Sequence, residues 1–221
     1  MKPKEIHHKI KIKKTWVKKG NKKMKELKVE IEFLQSVLGT ATGDKEVYRS
    51  FIASKSPDAA TIEEEIEAIG TEGVIEKGKT FFPRNEEGKP FVYDYQIRGF
   101  LKSALGTLSK IKGNPCEGVK AYKKKIDTTI FIKDRENVIY DYNEITECQR
   151  PLRCSTMQGE RVSIAISEQI PAGAKVQFTI QCLDDSDIAR VHAMLDYGRF
   201  NGLLQWRNSG HGSFTWKELE E

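Results

Sequence analysis

Eight consecutive residues near the C-terminus, Gln205-Trp206-Arg207-Asn208-Ser209-Gly210-His211-Gly212, hold an indole, a guanidinium, an imidazole and two glycines. Glycine lets a backbone take positive φ and approach a ligand closely. Successive N–H groups in such a loop can form an anion nest. Arg207, with Arg199 upstream, offers forked donors that suit phosphate. Trp206 can stack a base, worth roughly 1–3 kcal/mol where such stacking occurs. Gly202, Gln205, Ser209, Gly210 and Gly212 complete this ligand-binding set. The same residues also fit a tight connection, with Trp206 as a core anchor and Arg207 as a surface charge.

Other arginines stand apart in a chain whose cations are mostly lysine. Arg150 and Arg153 flank Pro151 and Leu152, and Arg161 opens the next segment. A regular strand would put Arg150 and Arg153 on opposite faces, and Pro151 marks an edge or a bulge. Phosphate contact and pairing with Glu160 or Glu168 are both open to these three. Arg98 and Lys102 are four apart and share one helix face near its N-terminal half, which favours anions. Lys120, Lys123, Lys124 and Lys125 form a second basic run, a generic electrostatic surface.

Phosphodiester cleavage without a metal needs a base, an acid and a cation. His211 is the candidate base or acid, with Tyr93, Tyr95 and Arg207 as helpers. His192 falls beside an apolar helical stripe and reads as packing. The histidines and the four cysteines have no metal-ligand spacing, so no metal and no cofactor is expected. The cysteines read as free thiols of a reducing cytosol.

The elements that must position these residues follow from periodicity. Leu27, Val29, Ile31 and Phe33 alternate with Lys28, Glu30 and Glu32, which predicts a half-buried strand ending near Gly39. Asp44 and Thr61 look like starts of two short helices. Asp94 reads as the N-cap of the clearest helix, with Ile97, Leu101, Ala104, Leu105 and Leu108 on one face and an end near Gly113. Strands follow at Thr128–Ile132, Ile145–Thr156, Arg161–Ser167 and Val176–Cys182. A helix starts at Asp184 or Asp185, with Ile188, Val191, Met194 and Leu195 inward, and a last strand begins at Phe214. The order is β-α-β-β-α-β, which predicts an α+β, ferredoxin-like fold with a helical insertion at about 40–92.

The 221 residues carry a formal charge of +5. Residues 1–28 hold twelve Lys and two Glu, a net of +10, so the rest sums to −5. We therefore expect a basic N-terminal arm or edge hairpin over 1–25 and a single domain over 26–221. The asymmetry points to a polyanion partner or to a solubilising tail. No stretch is long and apolar enough for a membrane span, and no secretory signal is evident.

Two segments resemble the CRISPR-associated RAMP superfamily. Tyr93-Asp94-Tyr95-Gln96-Ile97-Arg98-Gly99-Phe100-Leu101-Lys102-Ser103-Ala104 resembles the segment that opens its first helix. Tyr197 to Gly212 is similar to its glycine-rich loop, which follows the second helix, although the chain lacks a Gly-Gly pair before the arginine. From about residue 27 onward the chain also resembles proteins of phages and prophages of Gram-positive bacteria. That likeness is carried by Phe82-Pro83-Arg84, Gln149 to Arg153, Gln158 to Arg161, Ser167-Glu168 and Gln205 to Gly210, and it adds Arg84 to the ligand set. The RAMP resemblance implies a protein that binds RNA or a nucleotide ligand; the likeness to phage proteins implies a setting in phage biology, for which counter-defence in the host cytosol is the expectation. Two alternatives stay open: a metal-independent nuclease for RNA or a cyclic oligonucleotide, and a mimic that joins or blocks a host ribonucleoprotein. Self-association is a further partner expectation.

Overall fold

The computed structural model describes residues 24–42, 79–156 and 159–220, with side chains in 152–164 left aside. The basic arm before Met24 and the two short helices expected after Asp44 and Thr61 lie outside the described residues.

Alternation in the first strand does what it predicts. In β1 (Lys25–Phe33) Leu27, Val29, Ile31 and Phe33 are all buried. Each such side chain contributes about 1.5–3 kcal/mol when fully removed from water. The strand ends at Phe33 rather than near Gly39. Leu34 to Ser36 turn the chain out of the first sheet, and β2 (Val37–Leu38) joins a second one.

The main sheet has the order β11-β1-β10-β7-β5, with β6 also on β10. Its members are β5 (Phe91–Tyr93), β6 (Ile130–Ile132), β7 (Glu136–Tyr140), β10 (Lys175–Cys182) and β11 (Phe214–Glu218). Every pairing in it is antiparallel. One face packs on α1 (Asp94–Leu108), α2 (Tyr122–Thr129) and α3 (Ser186–Asp196), forming a core with Phe100, Leu101, Ile126, Val191 and Met194. The other face carries Lys28, Glu30, Gln177 and Thr179.

The second sheet has the order β2-β9-β4-β3, with β8 on β9. It comprises β3 (Ala41–Thr42), β4 (Lys79–Phe81), β8 (Thr146–Thr156) and β9 (Gly159–Ile170). β8 runs along β9 from Thr146↔Gln169 to Thr156↔Gly159, so Pro151 sits in an edge strand without breaking the register.

Several boundaries differ from the sequence reading. The N-cap of α1 is Tyr93, whose N–H donates to Gln96 Oε1 at 2.9 Å. Asp94 is the first helical residue instead, where its carboxylate suits the positive end of the helix dipole. The helix stops at Leu108, because Asn114 Nδ2 donates to the Leu108 carbonyl at 3.0 Å and turns follow. Thr128 and Thr129 belong to α2, where their hydroxyls donate back to the Lys124 and Lys125 carbonyls. The expected insertion is not wholly separate from the sheets: β3, β4 and β5 within it pair into them.

Candidate nucleic-acid interface

The loop from Tyr197 to Ser213 joins α3 to β11. Its neck is glycine by necessity. A Cβ on Gly202 would overlap the Gly212 carbonyl, and one on Gly212, at φ +69, would overlap that of Leu203. Leu203 N–H donates to Gly212 O at 2.9 Å across the same neck. These two glycines therefore let the loop close on itself through a close approach of backbone to backbone. Gly210, at φ +86, has open space where a side chain would be. Leu204 and Trp206 also take positive φ, at 66° and 57°. Such strain in non-glycine residues persists only where surroundings enforce it.

The enforcing contacts are polar and come from the second sheet. Gly212 N–H donates to the Ser36 carbonyl at 2.9 Å. His211 Nδ1 lies 3.2 Å from that carbonyl and 3.0 Å from Ser36 Oγ. Nδ1 thus faces both an acceptor and a hydroxyl of Ser36, and the tautomer with Nδ1 protonated toward the carbonyl leaves Nε2 as the free nitrogen. Gln205 Nε2 donates to Thr80 Oγ1 at 2.8 Å and Ser167 Oγ at 3.1 Å, and also to the Gly39 carbonyl.

Arg150 sits beneath this loop. It is 7% exposed. Its Nη2 donates to Gln205 Oε1 at 2.8 Å and its Nη1 to Ser167 Oγ at 3.0 Å. Its guanidinium carbon is 5.1 Å from the Trp206 ring centroid, and the indole stacks on His211 at 4.7 Å and 11°. No carboxylate among the described residues pairs with Arg150, and its buried Nε has no hydrogen-bond acceptor. Buried charges are ordinarily paired, so this cation surrounded by neutral acceptors is unusual. Trp206 remains 38% exposed.

The loop site thus gathers Arg150, Gly202, Gln205, Trp206, Arg207, Ser209, Gly210, His211 and Gly212. Arg207 and Ser209 bound a 3-10 turn, and the half-buried Arg207 has no ion-pair partner among the described residues. Arg153 and Arg161 lie in β8 and β9 on the same hairpin as Arg150, with side chains outside the description.

The remaining candidates lie elsewhere. Arg84 makes a two-pronged pair with Glu168, Nη2 to Oε1 at 2.8 Å and Nη1 to Oε2 at 3.3 Å. Glu168 also accepts the Phe82 N–H at 2.9 Å, so this pair fixes the chain beside β9. Arg98 bonds to Asp94 at 3.0 Å, and Lys102 to Asp127 at 2.6 Å, so both cations of that helix face already have anions. Tyr93 is buried against Phe91 and stacks on Tyr95 at 5.1 Å, with Arg135 over both rings. Neither tyrosine contacts His211.

Burial raises the Cys116 thiol and pushes Cys182 up to about 11, which leaves both protonated at neutral pH. Among the described residues no three His, Cys, Asp or Glu side chains gather as metal ligands, and no helix is long and apolar enough to cross a membrane.

Sequence reasoning missed the partners that seat the loop: Ser36, Gly39, Thr80 and Ser167. Their types are too common to signal this. It also passed over Phe200, which is 78% exposed beside Arg199. An aromatic next to arginine in a glycine-rich stretch was the available signal.

No protein-family model and no curated protein matches the chain. Solved structures do. A chain of the Type III-B Cmr-beta complex bound to cognate target RNA matches at a TM-score of 0.50 and 12% identity, over 88% of this chain and 59% of that one. This chain therefore spans about 59% of that neighbour's length. A chain of a Type IV-B CRISPR complex matches at a TM-score of 0.41 and 11% identity, over 88% and 90%. Among the described residues, the mostly antiparallel strands and three helices form a mixed α+β arrangement whose fold is similar to that of the Cmr-beta chain.

Proposed function

We propose that this chain is a RAMP-like protein that binds RNA or a nucleotide ligand through the loop of residues 198–212. In this reading β1, α1, β6 with β7, β10, α3 and β11 form the βαββαβ unit, and residues 26–221 form one domain decorated by the second sheet. The observation that carries the reading is Arg150: a buried guanidinium with no counter-ion among the described residues, holding Gln205 and Trp206 of that loop. An anion at the loop surface offsets its charge, Arg207 contacts a phosphate directly, and Trp206 offers its exposed part to a base. The RNA-bound complex of the Cmr-beta neighbour supports RNA as the ligand and a ribonucleoprotein as its setting. A phage context with a counter-defence role follows from the resemblance of the sequence to phage proteins.

The test is binding of the full chain to single-stranded RNA by fluorescence anisotropy, with mass spectrometry of whatever copurifies. Arg207→Ala should weaken binding about tenfold, the cost of one charge-assisted contact. Absence of any nucleic acid or nucleotide affinity in the wild-type chain would sink the proposal.

One observation favours a second reading, metal-independent cleavage. His211 turns Nδ1 to the carbonyl and hydroxyl of Ser36, and in the tautomer with Nδ1 protonated Nε2 serves as a base for a 2′-hydroxyl. Here His211→Gln should keep RNA affinity and abolish cleavage of labelled RNA in chelator.

A further inference from the structure

The two faces of the main sheet treat their cations differently. On the open face Lys133 pairs with Glu26 at 3.3 Å, Lys175 with Asp141 at 2.5 Å and Lys217 with Glu30 at 2.7 Å. A groove of about 760 Å³ on that face has Glu26 and Glu220 beside Lys28 and Lys133, while Glu218, opposite Val29 in the register, turns its carboxylate toward His192 of α3. Lys133, Lys175 and Lys217 are thus already paired with carboxylates, so a phosphate backbone would gain little there.

On the helical side the balance reverses. Residues 109–125 carry six lysines and one glutamate, a net of +5. Lys110, Lys120, Lys123 and Lys124 are exposed and have no ion pair among the described residues. Two adjacent residues of α1 bring this segment and the glycine-rich loop onto one side: Lys102 bonds Asp127 of α2 at 2.6 Å, and Ser103 Oγ accepts from Asn201 at 3.3 Å. Just before Asn201, Arg199 is exposed and has no ion pair among the described residues, and Phe200 is 78% exposed. Its ring leans on Tyr197 at 6.4 Å and 45°, and its open side, beside an arginine, is suited to stack an unpaired base.

We infer that single-stranded RNA crosses the helical side of the main sheet, from Arg199 and Phe200 over α1 to Lys110, Lys120, Lys123 and Lys124, and avoids the open sheet face. This surface rests on the RNA-binding reading of the loop and extends it by about the width of α1. The lysines contribute sequence-independent affinity through counterion release, and Phe200 contributes stacking.

The experiment uses the full chain and a fluorescent oligouridine of about 20 nucleotides, with Kd followed against salt concentration. Changing Lys110, Lys120, Lys123 and Lys124 together to Ala should reduce the magnitude of the log–log salt slope by about 3, because each phosphate contact on a single strand contributes about 0.7. Phe200→Ala should weaken binding about tenfold at an unchanged slope, since stacking releases no counterions. Lys28→Ala with Lys133→Ala, on the open face, should alter neither. A wild-type slope in the four-lysine variant, wild-type affinity in Phe200→Ala, or an equal loss from the open-face pair overturns this surface while leaving the loop reading intact. Failure of the wild-type chain to bind the oligonucleotide overturns both.

Discussion

Arg150 and Gln205 are 55 residues apart in sequence and joined by a 2.8 Å hydrogen bond from the guanidinium to the side-chain carbonyl. That bond ties the edge hairpin of the second sheet to the loop that follows α3. Gln205→Leu removes the acceptor and leaves Arg150 more poorly satisfied in a buried site. Losing a partner of a buried charged group costs about 2–3 kcal/mol. Urea denaturation should show that loss, and RNA affinity should fall with it as the loop loses its seat. A variant as stable as wild type would show that the bond contributes nothing net.

Glycines of the same loop should separate sharply. Gly202→Ala places a methyl inside the backbone of Gly212 and Ser213, with no flexible side chain to give way. We expect a loss of about 3 kcal/mol or more, in the range of overpacking and backbone strain together. Gly210→Ala meets open space and only the cost of a left-handed φ of +86, about 1–2 kcal/mol. Thermal unfolding of the two variants side by side checks the order; equal losses contradict the closed-neck geometry.

Glu30 makes an acid-sensitive contact on the open sheet face. It accepts from Lys217 at 2.7 Å, Tyr140 Oη at 2.5 Å and Gln177 at 2.7 Å. Lys217 first, then the Tyr140 hydroxyl and the Gln177 amide, hold its carboxyl down to about 2 from an ordinary 4.5. Burial and then this carboxylate push Tyr140 up to about 12. The folded pKa lies below the unfolded one, so the contribution is complete above about pH 4.5 and is lost as pH falls toward 2. Glu30→Gln should be less stable than wild type at neutral pH and should lose less stability across that window. Parallel stability curves for the two proteins in acid would count against it.

Asp187 is a fully buried carboxylate held by Arg190 at 2.6 Å, Lys125 at 2.8 Å and the Thr129 hydroxyl at 3.0 Å. It locks α3 to the end of α2. Its two cations are partly exposed and can turn to water, so Asp187→Ala should cost about 2–4 kcal/mol, somewhat under the full price of an orphaned buried charge. Chemical denaturation reads this directly, and a loss under 1 kcal/mol would show that solvent replaces the carboxylate.

The local period of apolar residues was enough for the strongly amphipathic elements. The alternation from Leu27 to Phe33 and the helical stripes of α1 and α3 each bury one face, and a one-residue slip would expose all of it. Helix α2 escaped this reading because it buries only Ile126; its lysine run carries no apolar stripe, and packing of Tyr122 on Gly106 holds it instead. The sequence likewise gave no sign that the hairpin of β8 and β9 would leave the main sheet for a second one.

By itself, then, the sequence determined which segments are strands or helices with one apolar face, and which loop concentrates glycine, Trp206, Arg207 and His211. Those properties depend on neighbours a few residues apart. Only the tertiary structure decided that Arg84, Arg98 and Lys102 spend their charges on Glu168, Asp94 and Asp127, while Arg150 is buried with no anion among the described residues. Charge is written in the chain, but whether a charge is paired depends on residues brought from far along it, as Glu168 is to Arg84, 84 positions away.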